Sequence, residues 1–451
     1  MALTASQRQA IAETLPSGRV FYDLADHPAY LKDATELSFS PDALFFADSE
    51  ADIVAAVNLC RRINLPLIPR GAGTGYSGGA LAIAGGLLLS TERMKSITID
   101  RAKRAAVVGP GALTGDIMTA AEKAGLFYPP DPASYLESTI GGNLAENAGG
   151  LRCKKYGVTK DYVLGFRAVM ADGSVVAIDS SAPFGLVGVL VGSEGTLCTY
   201  SQITLRLIDL PQPGTSILAV FGRAVDAASV VAEVTAGGIV PCAMEFIDGD
   251  AIACVNQYAP QHRIDEGAAL LLFETDGPQA VSEAERIKTI CRRFSPTTLR
   301  EAADAEQRDT LWQTRRNVSK AVKESARSKT AEDVCVPPSA LPDLVAYVEE
   351  LGRTLRVRVN CYGHAGDGNL HVNFLGMTGS PAELADTAQG VALLFEKTLQ
   401  LGGTLSGEHG IGITKKDFLA REFDQATLNF MKRFKKALDP DALFNPGKIF
   451  V

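Results

Sequence analysis

A mixed α and β protein of two or three packed units is what this sequence predicts, on three observations. The chain has 451 residues, about three times the usual ~150-residue domain. Its composition, 46% hydrophobic and 21% charged, is that of an ordinary globular protein, far from disordered or collagen-like extremes. Its local patterns also alternate: ALFFADSEADIVAAVNLCRRINLPLIPRGAG at 43–73 reads as strand, helix, strand, and AMEFIDGDAIACV at 243–255 as strand then helix.

The same reading excludes several classes. A net charge of −8, with no conspicuous run of lysine and arginine, argues against a nucleic-acid partner. The opening MALTASQRQAIAETLPSGRVFYD lacks a basic flank followed by an apolar core. No uncharged apolar run reaches about 18 residues, so a cytosolic protein is expected. The eight cysteines form no C-x-x-C pair, which argues against a zinc ribbon or an iron–sulfur relay in this chain. Buried free thiols are expected instead.

Along the chain, Ser49 and Asp52 are placed to form a capping box, and Ile53, Val54, Val57 and Cys60 to line one face of the helix that follows. After the next strand comes PRGAGTGYSGGA at 69–80, in which GTGYSG matches G-x-G-x-x-G. A dinucleotide-binding turn must open directly into a helix, yet GALAIAGGLLLS at 79–90 reads as a turn and a strand, so NAD is not expected. Gly71, Gly73, Gly75, Gly78 and Gly79 would still let backbone N–H groups converge on an anion without obstruction. PPDPASYLESTIGGNLAENAGGLRCKKYG at 129–157 repeats the device with Gly141, Gly142, Gly149 and Gly150, and offers Thr139, Asn143 and Asn147 as donors. LVGSEGTLCTYSQITLRL at 190–207 sets Gly192, Ser193, Glu194 and Gly195 before an alternating, strand-like run.

Three of the five histidines, His364, His371 and His409, fall in the last quarter beside Asp367 and Glu408. Gly366, Asp367 and Gly368 would reverse the chain between His364 and His371 and bring both rings to one point. With Glu408 they would make a His, His, carboxylate site with open positions, suited to zinc or another borderline divalent ion. A hydrogen-bonded histidine pair beside a strand is the alternative on residues alone. Residues 311–325, LWQTRRNVSKAVKES, place Trp312, Arg315, Arg316, Ser319 and Lys323 on neighbouring helical faces. Such a cationic stripe either holds a carboxylate or is a solvated face.

The three glycine-rich segments, in this order, resemble the FAD-binding half of the vanillyl-alcohol-oxidase and p-cresol-methylhydroxylase flavoprotein superfamily. CYGHAGDGNLHVNF at 361–374, GGTLSGEHGIGITKK at 402–416 and NPGKIF at 445–450 are similar to its D-lactate, glycolate and D-2-hydroxyglutarate dehydrogenase branch. The likeness spans roughly residues 40–451. It implies an α+β fold: a two-subdomain FAD-binding domain at 40–210 after an extension at 1–39, an α+β cap at 211–400, and a segment at 401–451 returning to the flavin. FAD contacts are implied at Pro69, Arg70, Gly71, Ala72, Gly73, Thr74, Gly75, Ser77 and Gly78. They continue at Pro130, Ser138, Thr139, Gly141, Gly142, Asn143, Asn147, Gly149, Gly150, Tyr156 and Gly157, and at Glu194, Gly195 and Asn445. The loop at 69–80 has neither histidine nor cysteine, so the flavin is expected to be non-covalent, and Cys153 is read as packing.

The resemblance makes His364, His371 and Glu408 metal ligands and His409 the general base. It makes Arg315 the catalytic and substrate-carboxylate arginine, with Arg316, Ser319 and Lys329 as further substrate contacts. The implied reaction oxidises a D-2-hydroxy acid to its 2-oxo acid, the hydride passing to flavin N5 and the proton to His409. Electrons would leave to a separate acceptor: an electron-transfer flavoprotein, an iron–sulfur subunit, or a quinone reached by peripheral membrane contact. A homodimer is compatible. SSAPFGLVGVLVGSEG at 180–195 departs from the branch in lacking its polar, aromatic stretch, which puts local flavin or substrate contacts in question. Three other readings stay open: an FAD-binding electron-transfer subunit with its chemistry on a partner, a metal-dependent hydrolase or lyase, and a lipid-ether synthase on the same fold.

Overall fold

The computed structural model describes residues 3–35, 37–181 and 185–450. Residues 182–184, within the divergent stretch, lie outside the described residues. The chain divides into two compact units, one of Met1–Gly149, Val158–Leu210 and Glu408–Val451, the other of Gly150–Gly157 and Pro211–Gly407. Both mix helices with sheets, and the class is α+β.

The first unit carries two main sheets. One has four strands in the order Val20–Phe21, Ala43–Phe46, Leu87–Ser90, Leu67–Arg70. Its last three strands run parallel, with Ala43 against Leu87 and Leu67 against the same Leu87. Ala43–Phe46 is wholly buried, as its unbroken apolar run requires when a strand is covered on both sides. The helix Glu50–Arg62 packs Ile53, Val57 and Cys60 into that core. Its cap is half of the expected box. Ser49 Oγ accepts from Asp52 N at 3.2 Å, but the Asp52 carboxylate reaches past Ser49 to Asp48 N at 2.9 Å and is held by Arg19 at 2.7 Å. A guanidinium is a stronger partner for a carboxylate than one backbone N–H, so it decides where Asp52 points. The other sheet is antiparallel, in the order Ile97–Asp100, Ala105–Val108, Cys198–Arg206, Val163–Met170, Val175–Asp179.

The second unit is built on one antiparallel seven-stranded sheet. Its order is Thr298–Glu301, Pro213–Phe221, Ala269–Asp276, Ala243–Asp248, Arg358–Gly363, Asn369–Gly376, Ser328–Cys335. Leu218, Val220, Ile247, Leu270 and Leu272 from the sheet pack with Val318, Ala321 and Val322 of the helix Ala305–Glu324. That helix buries Leu311, Trp312, Arg315, Val318 and Val322, residues spaced by three and four, so the face holding Arg315 is the core face rather than a solvated one. All eight cysteines are free; Cys153 and Cys335 are half-buried and the rest buried. Among the described residues no helix is long and apolar enough to cross a membrane.

Candidate active site

The glycine loop at 69–80 leaves the strand Leu67–Arg70 and passes through turns into the parallel strand Leu87–Ser90, with no helix opening from it. Its backbone is close-packed where glycine is required. A Cβ on Gly71 would lie 2.1 Å from Thr139 Oγ1, so the first loop lies directly against the second glycine segment. Gly75 faces open space. Arg70 turns inward: 4% exposed, it donates to the carbonyls of Ala80, Ala29 and Lys32 at 2.8–3.2 Å. It clamps the loop at both ends.

In the second segment Thr139 occupies the N-cap position of the short helix Ile140–Glu146 without a side-chain cap bond, and Asn147 closes the helix in a left-handed conformation (φ 53°). The side chains of both asparagines are engaged within the unit, Asn143 Nδ2 donating to Thr114 Oγ1 at 2.7 Å and Asn147 Oδ1 accepting from Lys160 N at 2.9 Å. Pro130, Ser138, Thr139 and Asn143 are buried, as is Gly149. Tyr156, carried by the second unit, donates to Asp276 at 2.5 Å.

Glu194, Gly195 and Asn445 come together with the first loop. Asn445 Nδ2 donates to the carbonyls of Gly79 and Glu194, both at 3.0 Å. The Glu194 carboxylate accepts from Ile411 N at 2.8 Å and Gly412 N at 2.6 Å, and Ile413 N donates to Ser77 O at 2.8 Å. Residues 410–413 are thereby laid onto the glycine loop, and a Cβ on Gly412 would meet Ser77 O at 1.9 Å. The His409 ring, just before this clamp, stacks on Tyr76 at 4.7 Å and 20°. Burial, with the charge of Glu194 beside it, raises Glu146 well above the carboxylate range.

Lys448 completes this buried cluster, donating to Gly79 O at 2.6 Å and Asn445 Oδ1 at 2.9 Å. Burial lowers it to about 7, against the pull of Glu146, Asp33 and Glu194. A lysine whose folded value lies below its unfolded one leaves the unfolded chain holding an extra proton between the two values. Its contribution to stability therefore rises with pH across that window, from about 7 to about 10.5. Compared with Lys448→Met by chemical denaturation, the wild type should gain stability through this window, by up to about 1.4 kcal/mol per pH unit. A difference that does not vary with pH would contradict this.

In the second unit, the strands Arg358–Gly363 and Asn369–Gly376 form a hairpin through the single turn Ala365–Asp367, which Gly368 closes at φ 78°. A Cβ on Gly368 would meet Val336 O at 1.8 Å. The turn leaves the His364 and His371 rings 5.3 Å apart and edge to face. His364, His371 and Glu408 each offer one ligand atom, and the three atoms lie within 4.8 Å of one another. The segment leading to Glu408 is fixed by a two-bond bridge between Cys335 and Thr404, at 2.8 and 3.1 Å, and by Ser406 Oγ donating to Asp333, the cross-strand neighbour of His371. Two imidazoles and a carboxylate with open positions suit a divalent ion of borderline hardness. The site is capable of coordinating one.

Around the pair stand the residues singled out on the helix Ala305–Glu324. Arg315 is 4% exposed; its Nε donates to Glu245 Oε2 at 2.7 Å, Nη2 lies 2.5 Å from the same oxygen, and the guanidinium covers the Tyr362 ring at 5.4 Å. Lys329 Nζ donates to Ser319 Oγ and to Tyr362 Oη, both at 3.2 Å. Arg315, Ser319 and Lys329 thus gather about Tyr362, whose ring lies 5.5 Å from that of His371. Arg316 is half-buried on the same helix and Lys323 is exposed.

Four polar residues here escaped the sequence reading. Glu245, 0% exposed, places Oε1 2.8 Å from His364 Nδ1. Tyr362 is the surface on which the cationic residues converge, and burial raises its phenol. Asn369 and Asn373 share a strand face with His371 and are buried. The one available signal was an acidic residue within the apolar run AMEFID, since an unpaired charge is not left in a core.

Two family models match the chain: an FAD binding domain over residues 41–179 and the C-terminal domain of FAD linked oxidases over residues 210–449. The glycolate oxidase subunit GlcD of Bacillus subtilis is 34% identical over 442 residues, covering 96% of this chain and 93% of that protein. A D-lactate dehydrogenase of Archaeoglobus fulgidus is 33% identical over 408 residues, covering 88% of this chain and 89% of its own. A crystal structure of p-cresol methylhydroxylase with substrate bound superposes with a TM-score of 0.82 over 100% of this chain and 98% of its own; at 14% identity that likeness speaks for the fold alone. Close-packed glycine loops, a His, His, Glu cluster and relatives aligned across nearly the whole chain agree: the protein belongs to the FAD-linked oxidase family and is an FAD-binding oxidoreductase.

Proposed function

We propose that this protein is a dehydrogenase of D-2-hydroxy acids, carrying non-covalent FAD and a zinc ion. The reading rests above all on one juxtaposition, a ligand triad with cationic side chains converging on a tyrosine beside its two histidines. In it, residues 40–210 hold FAD, 211–400 form the cap over the substrate, and 401–451 return to complete the flavin site. The loops at 69–80 and 138–157 cradle the cofactor with Glu194, Gly195 and Asn445. His364, His371 and Glu408 hold the metal.

When bound, FAD supplies a two-electron acceptor and the metal a Lewis acid that makes the substrate hydroxyl more acidic. The chain supplies the rest. His409, held by its stack on Tyr76, takes the hydroxyl proton. Lys329 and the Arg315 guanidinium set the substrate carboxylate, with Arg316 as a further cation; the Lys329 ammonium is steadied by Ser319 and Tyr362. The burial of Arg315 and Tyr362 strengthens the charge interactions made there. The enzyme works in the cytoplasm, and once reduced passes its electrons to a separate acceptor: an electron-transfer flavoprotein, an iron–sulfur subunit, or a quinone reached by peripheral membrane contact.

The test is anaerobic bleaching of the flavin by a panel of D- and L-2-hydroxy acids. We expect one or more D acids to reduce it and their L enantiomers to fail. Equal rates for both enantiomers would refute the stereochemical claim. Absence of bleaching by any 2-hydroxy acid would refute the substrate class and return the chain to an electron-transfer role.

A further inference from the structure

We propose that Glu245 is a positioning residue that sets His364 for metal binding and Arg315 for the substrate carboxylate at the same time. This rests on the site reading given above. Glu245 lies on the strand Ala243–Asp248 and is wholly buried. One oxygen faces His364 Nδ1 at 2.8 Å and the other accepts from Arg315 Nε at 2.7 Å. Each carboxylate oxygen therefore serves a different functional side chain.

The chemistry follows from what each group can do. An arginine retains its charge even when buried, so the carboxylate paired with it is ionised and can only accept hydrogen bonds. His364 must then carry its proton on Nδ1, which leaves the Nε2 lone pair as the ligand atom. A carboxylate behind a histidine ligand also fixes the ring plane and makes the ring more basic. Because the same carboxylate grips the Nε and Nη2 edge of Arg315, it turns the rest of the guanidinium fork outward from that bond. Metal affinity and carboxylate affinity thus share one support. Loss of Glu245 should damage both, whereas exchanging the Arg315 fork for another cation should spare the metal.

The test compares wild type, Glu245→Gln and Arg315→Lys as purified, FAD-loaded proteins. Zn²⁺ affinity is measured by competition with a chromophoric chelator, alongside KM for the preferred 2-hydroxy acid. We expect Glu245→Gln to bind Zn²⁺ roughly 10- to 100-fold more weakly and to raise KM, with FAD content unchanged. Arg315→Lys should raise KM and leave Zn²⁺ affinity within about threefold, since it keeps a cation beside Glu245 and removes only the bidentate fork.

Should Glu245→Gln fail to fold, the tautomer can be read in the wild type. The chain has five histidines, so ¹⁵N-histidine spectra of the Zn²⁺-loaded protein, with His364 assigned from His364→Asn, should show Nδ1–H at His364. Wild-type Zn²⁺ affinity in Glu245→Gln, or a proton on His364 Nε2, would overturn the proposal and leave the metal site standing. A wild type that binds no Zn²⁺ would overturn the site reading and this proposal with it.

Discussion

Replacing His371 with alanine is expected to slow reduction of the flavin by substrate by roughly 10²- to 10⁴-fold, the several kcal/mol that a Lewis acid contributes, while FAD content stays at the wild-type level. The two effects separate because His371 and the glycine loop sit on different parts of the chain. His371 lies on the hairpin strand Asn369–Gly376 of the second unit, whereas the glycine loop, Glu194 and Asn445 all belong to the first. Treating the wild type with a chelator should reproduce the defect, and Zn²⁺ should reverse it in wild type but not in the variant. Stopped-flow absorbance of the flavin, with metal content measured on the same samples, checks both statements. Full activity in metal-free wild type would remove the metal from the reaction.

The second large effect is expected at His409. His409→Ala should slow flavin reduction by roughly 10²- to 10⁴-fold, as loss of a general base does, with both FAD and Zn²⁺ retained. The ring has a fixed seat, stacked on Tyr76 at one end of a segment whose next residues are tied to Glu194 and Ser77. In the proposed mechanism, removing it deletes the proton acceptor without releasing the loop. Tyr76→Leu provides the contrast, since it keeps the imidazole and removes its support. That variant should show a smaller loss in rate, measured in the same experiment. An undiminished rate in His409→Ala would assign the proton to another group.

Most of the fold's punctuation was legible in the sequence because glycine marks places where no other residue fits. The absence of a helix after residue 80, the reversal at 366–368 and the turn at 192–195 could all be read without a partner in view. The helix Ala305–Glu324 was legible from its three- and four-residue spacing, but the surroundings of Arg315 were not. Sequence periodicity gives the face on which a residue lies, and only packing decides whether that face is wet. Glu245 is 70 residues from Arg315 and 119 from His364, separations across which no local pattern operates. Arg70 shows the same limit at shorter range: its place beside the glycines was visible, but its grip on Ala29 and Lys32 depends on residues 41 and 38 positions earlier. Asp52 was placed in a capping box because the box is local, while the Arg19 that redirects it is not.

The strand Leu67–Arg70 is completed on its outer side by residues far along the chain: Leu67 N donates to Leu443 O, and Asn445 N donates to Leu67 O. On the ribosome this order of events has a consequence. The second unit, made of residues 150–157 and 211–407, can finish folding while synthesis continues. The first unit begins earlier but must wait with an open sheet edge, its glycine loop lacking the backbone of residues 411–413 and the amide of Asn445. An exposed edge strand invites pairing with another chain, so the interval between translation of residue 70 and residue 445 is when this protein is most open to aggregation and most dependent on chaperones.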